Sequence, residues 1–368
     1  MTPVELSRTV LRAVRRAVDE GELSVTVPGR AVVGVPGPGG CGDYATNIAL
    51  QLARPAGQPP QRVAEILRSY LLDLDTAEVA DVVVTGPGFL NISLRSTSSA
   101  ALVEEIVRRG QWYGYADGPT GQVVQLHAPH EVRAVVVMDV VARLLRSQGA
   151  LVRTSCEARP ESAWVDVLGV RVDAYGRPGA SAPLDVDVRP VPVAADPVPL
   201  GRDAARWALL LPAAHDRPRI SDDHLVQREG NPLFRVRYAH ARTRALSRNA
   251  ADLGFTPEPG PLADARPLPE PGPLLDAPHL PEAPPLLAAL SDHPRVLAHA
   301  AAHRAPDRLA RHLVTVADAV LPFLPVVLPR GAEKPSAAHR ARLALAEAAG
   351  TVLAGGLSLL GIDAPDHL

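Results

Sequence analysis

Residues 231–251, which open NPLFRVRYAHARTRAL, carry five arginines and no Asp or Glu. A helix sorts this composition. Phe234, Tyr238, Ala241 and Ala245 fall on one stripe, with Arg237, Arg244 and Arg248 on one side and Arg235 and Arg242 on the other. The segment is expected to pack along that narrow seam and present cations from both shoulders. A merely solvated helix face usually mixes signs, whereas guanidinium forks without interleaved carboxylates suit phosphates and bases.

The rest of the chain limits what such a helix can serve. At 368 residues it is long enough for two or three domains. The 38 basic and 40 acidic residues nearly cancel, so polyanion binding requires local patches. Cys41 and Cys156 lie far apart, giving neither a disulfide framework nor metal-ligand spacing. No apolar run is expected to span a membrane, and the N-terminus lacks the form of a signal peptide, so a soluble cytoplasmic protein is expected. Ala, Pro and Arg are abundant, as in GC-rich genomes. Lys334 is the sole lysine, and any chemistry that needs an ammonium group must use it or go without.

Periodicity predicts helices over 3–18, 61–72, 98–109 (capped by Ser98 or Ser99) and 201–211, with one opening in CGDYATNIAL at 41–50. It predicts a strand, turn and strand over 81–94, hinged at Gly86-Pro87-Gly88. A strand at 123–126, then His127-Ala128-Pro129-His130, a helix over 131–147 and a strand at 151–153 form the opening βαβ unit of a nucleotide-binding fold. Residues 155–200 are broken by Gly and Pro. The Pro-rich stretch 256–285 reads as a loop, after which helices resume. His215 and His224 with Asp222 and Asp223, and His293, His299, His303 and His312, read as loop and helix-surface groups, not metal ligands.

The run around Tyr238 closely resembles the start of the anticodon-binding domain of arginyl-tRNA synthetases. Asn231-Pro232, Phe234 and Tyr238-Ala239-His240-Ala241-Arg242 carry the match. Further stretches follow in the family's order: CGDYATNIAL and GPGFLNISL near the N-terminus; Gly201, Asp203, Ala204 and Arg206; Ala301-Ala302, Arg308-Leu309 and the tail GLSLLGIDAP. The resemblance implies an α+β multidomain protein. It would have an N-terminal tRNA-elbow domain over 1–115, a truncated Rossmann-like class I catalytic remnant over 116–225, and an all-α anticodon-binding bundle over 226–368. It places Arg235, Arg237, Tyr238, Arg242, Arg244 and Arg248 on tRNA, with Asp43, Tyr44 and Asn47 as elbow contacts. Arginine tRNA is the implied partner. DNA and membrane are not expected as partners, and oligomeric state is left open.

His127 and His130 occupy the histidine positions of the family's first signature, His-x-Gly-His, but Pro129 replaces its glycine. Proline adds bulk and removes an N–H where backbone should meet adenine. Arg133 and Asp139 sit where the match continues along the helix. The second signature is a lysine loop, and no lysine precedes Lys334. About fifty residues between the βαβ unit and Gly201 are too few for the missing half of a class I sheet, at about thirty residues per βαβ unit. The expected function is therefore tRNA binding without aminoacylation and without a cofactor, like the synthetase-related anticodon-binding proteins of high-GC bacteria. Two alternatives stand beside it: an active arginine–tRNA ligase using ATP, or a scaffold that no longer binds RNA.

Overall fold

The computed structural model describes residues 3–34, 36, 42–73, 79–94, 96–176, 184–262 and 283–368. They divide into two units, one of residues 1–104, 258–292 and 336–341, the other of 105–257, 293–335 and 342–368.

The first unit starts with α1 (Pro3–Asp19), whose Leu6, Val10, Val14 and Ala17 recur at helical spacing and are buried. There follow β1 (Val33–Gly34), β2 (Tyr44–Thr46), α2 (Ile48–Ala56), α3 (Pro60–Asp73), β3 (Val79–Thr85) and β4 (Phe89–Leu94). The helix α4 (Ser96–Arg109) then runs on into the second unit. The four strands form an antiparallel sheet in the order β1-β2-β4-β3. Leu6 and Val10 of α1, Leu67 and Leu71 of α3, and Ile92 of β4 share its core. The predicted β3–β4 hairpin is present. Gly86 and Gly88 have φ of 53° and 133°, and a Cβ on Gly88 would stand 2.9 Å from the Pro60 carbonyl oxygen.

Two expectations need correction here. The segment expected to open a helix at 41–50 instead pairs as a strand, Tyr44 opposite Ile92 and Thr46 opposite Leu90, and the helix starts at Ile48. Sheet pairing overrides local helix propensity. The fourth helix begins at Ser96, so neither Ser98 nor Ser99 caps it. Cys41 and most of the glycine-rich stretch 34–42 lie outside the described residues, as does 263–282 of the Pro-rich loop.

The second unit is built on β5 (Val123–Ala128), α5 (Val132–Ser147), β6 (Leu151–Cys156), α6 (Ser162–Asp166), β7 (Ala174–Tyr175) and β8 (Leu184–Asp187). The sheet is wholly parallel, ordered β7-β6-β5-β8, so β5 is flanked on both sides. β5 and β6 are longer than the expected 123–126 and 151–153, and β5 takes in His127. Fourteen of the sixteen residues of α5 are buried, which accounts for its nearly continuous Val and Leu content. The remaining helices are α7 (Gly201–Leu210), α8 (Pro232–Asp252), α9 (Ala283–Ala302), α10 (Pro306–Val320) and α11 (Ala337–Leu360). The segment from Pro306 to Val326 and the helix α11 are long and apolar enough to cross a membrane, contrary to the sequence expectation. In α11 that apolarity serves packing, since 78% of its apolar window is buried inside the protein. The architecture is α+β, with a parallel sheet and a helical C-terminal region.

Candidate functional site

Asn231 starts α8. Its side chain accepts from the Leu233 N–H at 3.1 Å and donates to the carbonyls of His224 and Val226, both at 2.9 Å. Pro232 follows at the position where a missing N–H costs nothing. The buried residues are Leu233, Val236, Ala239, His240, Ala241, Thr243, Leu246 and Ala250, so of the expected seam Ala241 is buried, Phe234 and Ala245 are half-buried and Tyr238 is exposed. The reason is the close approach of α11: Gly350 lies against Thr243 and leaves no room for a methyl group.

That rotation turns the aromatic stripe outward. Tyr238 is 38% exposed and stacks on Phe234 with ring centroids 5.5 Å apart. The Arg242 guanidinium lies over the Tyr238 ring, 6.0 Å from its centroid. Phe234, Tyr238 and Arg242 thus form a ladder at four-residue spacing. The other arginines are less available than the sequence suggested, because carboxylates distant in the chain arrive beside them. Arg235 meets Asp318 at 3.4 Å, Arg237 meets Asp203 at 3.4 Å and Arg244 meets Asp366 at 3.1 Å. Arg248 donates to the Asp366 carbonyl at 3.3 Å. Among the described residues Arg242 has no carboxylate partner.

The strand-to-helix turn at 127–132 is differently arranged from a phosphate site. His127 is buried on β5 with Nδ1 2.9 Å from the Ser155 hydroxyl, and its Nε2 has no partner among the described residues. His130 is exposed. Its backbone N–H donates to Glu157 at 3.3 Å, its Nε2 lies 3.0 Å from the Arg159 carbonyl oxygen, and its ring packs 4.9 Å from that of Trp164. The N-terminus of α5 is occupied by the protein itself. The Glu131 carboxylate accepts from the backbone N–H groups of Arg133 at 3.1 Å and Ala134 at 2.8 Å. An anion thus already sits on the N–H groups and dipole that a nucleotide phosphate would use.

Arg133, in the same turn, is fully buried. It donates to the carbonyls of Val191, Leu209, Pro212, Ala213 and Asp216 at 2.6–3.2 Å. Burial pulls its pKa below the ordinary arginine value. Arg206 is also fully buried, 2.7 Å from Asp139, with carbonyls of Leu168 and Leu360 as further acceptors. The residues that match the family along α5 and α7 therefore hold the fold together. Sequence reasoning did not anticipate Glu131 as a cap, although an acidic residue just before an apolar helix was the available signal.

Of the expected elbow contacts, Asp43 is exposed and Asn47 is half-buried, accepting from Gln51 at 3.0 Å. Tyr44 is buried, with its hydroxyl 2.7 Å from that of Ser291. Its ring is a core group and cannot be a surface contact as expected. Burial raises its pKa. The candidate histidines on the loops and C-terminal helices do not gather into a group of three or more metal-ligating residues among the described residues.

Comparison with known proteins places this geometry. The family described as "DALR anticodon binding domain" matches residues 236–368, and that described as "Arginyl tRNA synthetase N terminal domain" matches 6–94. An arginine–tRNA ligase of Renibacterium salmoninarum is 41% identical over 186 residues, covering 47% of this chain and 33% of that protein. The chain thus spans about a third of that relative in the match. An arginine–tRNA ligase of Kineococcus radiotolerans aligns over 568 residues at 25% identity, covering all of both chains. Since this chain has 368 residues, roughly 200 positions of that alignment have no counterpart in it. Among solved structures, arginyl-tRNA synthetase from Thermus thermophilus superposes with a TM-score of 0.68 at 15% identity, covering all of both chains. That of Plasmodium falciparum gives 0.69 at 9%, covering all of this chain and 99% of the other. These likenesses extend from the N-terminal domain to the anticodon-binding helices, in the order the motifs run. This chain is a synthetase-type protein with an anticodon-binding domain and belongs to the arginyl-tRNA synthetase family.

Proposed function

We propose that this chain binds tRNA through α8 and does not activate arginine. One observation carries the loss of activation: the N-terminus of α5 already holds the Glu131 carboxylate, in contact with two backbone N–H groups. A second anion there would meet like charge at close range. Pro129 and the absence of any lysine before Lys334 point the same way, as do histidines engaged with Ser155 and with the Arg159 carbonyl. These residues do not fit the triphosphate of ATP. RNA binding is supported by the Phe234–Tyr238–Arg242 ladder, in which Tyr238 and Arg242 are exposed and offer a π-face and a cation without a carboxylate partner among the described residues. A tRNA partner goes with a cytoplasmic location, and arginine tRNA is the first species to test.

The experiment is arginine-dependent exchange of pyrophosphate into ATP, with and without tRNA, on a preparation whose tRNA affinity is measured by filter binding. The expected result is retained tRNA and exchange at the no-enzyme blank. Exchange well above the blank would overturn the loss of activation. A folded protein that retains no tRNA would overturn the binding half and favour a scaffold role.

A further inference from the structure

A second basic site lies in the second unit, away from the turn at 127–132. It is a cleft of about 860 Å³ between α5, the segment after α6, the start of α7 and the end of α11. Arg143 and Arg146 of α5, Arg171 and Arg202 line it, with Trp112 also on its wall. Arg143 and Arg146 are the two residues of α5 that are not buried, and both face this cleft.

Three of the four arginines donate to neutral carbonyls, and among the described residues Arg171 and Arg202 have no carboxylate partner. Arg143 donates to the Ser358 carbonyl at 3.2 Å, Arg146 to that of Val152 at 2.8 Å and Arg202 to that of Gly361 at 3.2 Å. Gly169 has φ of 66°, and a Cβ there would stand 3.2 Å from the Arg202 guanidinium carbon, so glycine lets that side chain lie against the backbone. Two carboxylates line the cleft, Asp139 and Asp166. Asp139 is already shared between buried Arg206 at 2.7 Å and Arg143 at 3.1 Å. Arg146 has a longer ion pair, 3.6 Å to Asp173. Arg171 is exposed and has no partner among the described residues. Trp112 is 61% exposed and is braced edge-on by Tyr115, with ring centroids 5.2 Å apart at 87°. Forked cations beside a braced, exposed indole match a phosphate joined to a base.

Arg202 links this cleft to the foot of the ladder. It also lines a smaller cleft of about 300 Å³ whose wall includes Phe234 and Arg237. We propose that the larger cleft takes a nucleotide of a bound RNA strand, with its base on Trp112 and its phosphate on Arg171, Arg143 and Arg202. This site deepens the tRNA-binding reading and rests on it, but it uses residues separate from α8.

Trp112 supplies the probe, because Trp164 and Trp207 are buried. Unfractionated tRNA and, separately, 5′-AMP are titrated into the full chain while tryptophan emission is followed. Filter binding over a range of salt is run in parallel. The expected result is quenching by tRNA that is absent in Trp112→Phe, and much weaker quenching by 5′-AMP. Trp112→Ala should lower tRNA affinity roughly tenfold. Arg171→Ala should flatten the slope of log affinity against log salt by about 0.7–0.9. Both residues are exposed, so circular dichroism and melting should match the wild type. Tyr238→Ala is the control for α8. If it weakens tRNA binding while Trp112 and Arg171 variants bind as wild type, the cleft proposal is overturned and the α8 reading stands. If no tRNA binds the wild type, both are overturned. Saturable quenching by 5′-AMP at lower concentration than by tRNA nucleotides would overturn the RNA assignment in favour of a free mononucleotide.

Discussion

Arg133 shows how one residue changes meaning between chain and fold. In the sequence it is a cation in the helix that follows two histidines, where a phosphate ligand would be sought. In the structure it is fully buried and satisfies five carbonyls drawn from residues 191–216. Val191 belongs to the stretch that the sequence left broken, Leu209 to the end of α7, and Pro212, Ala213 and Asp216 to the segment after it, so the arginine ties three segments together where strand or helix bonds do not. Removing it would strand buried acceptors, each costing about 1–3 kcal/mol when left unmade. Arg133→Met is therefore expected to lower stability by more than about 3 kcal/mol, a lower bound because the segment can relax or admit water. Arg133→Lys should recover little, since one ammonium cannot serve five acceptors in a planar fan. Urea unfolding of both variants checks this. A loss under about 1 kcal/mol for either would show that the carbonyls find other donors.

At the scale of the element, α8 was legible in its limits and misread in its rotation. The Asn-Pro start, the helical spacing and the lack of Gly or Pro from 233 to 252 were all in the sequence, and the helix spans Pro232–Asp252. Which face packs was not legible, because small residues, among them Ala239, Ala241, Ala245 and Ala250, are spread around the helix. The choice is made by Gly350 on a helix about a hundred residues on in the chain. The same holds for charge: Asp203, Asp318 and Asp366 neutralise arginines that looked free along their own helix. A ranking follows. Arg242→Ala should weaken tRNA binding and flatten its salt slope by about 0.7–0.9, the effect of one phosphate contact. Tyr238→Ala should cost about 1–3 kcal/mol of binding if a base stacks there. Arg235→Ala should do less, because its charge is already shared with Asp318. Equal losses for Arg235→Ala and Arg242→Ala would show that the pairing with Asp318 opens when RNA binds.

For the whole molecule, βαβ order, the N-terminal hairpin and the helical C-terminal region could be read from periodicity, because each depends on local pattern. The four-stranded order β7-β6-β5-β8 could not, since β7 and β8 are two and four residues long and are defined by their neighbours. Nor could the burial of polar groups between distant segments. Tyr113, His293 and His312 form such a set, drawn from the segment before β5, from α9 and from α10. Tyr113 and His293 stack with centroids 5.9 Å apart, and His293 and His312 are 5.2 Å apart. His293 is buried, and its pKa lies well below the ordinary 6.5, first through burial and then through neighbouring His312. His240 on α8 is shifted the same way, chiefly by burial. The folded state therefore keeps His293 neutral at a pH where the unfolded chain takes up a proton. Stability is fully present above about pH 6.5 and is lost as pH falls through and below that value, by at most about 1.4 kcal/mol per pH unit for each such histidine. Melting of the wild type at pH 7.5 and 5.5 should show a drop at the lower pH. His293→Phe keeps an aromatic ring in the stack and removes the titrating group, so its drop should be smaller. An undiminished drop in that folded variant would assign the acid sensitivity elsewhere, with His240 the next group to replace.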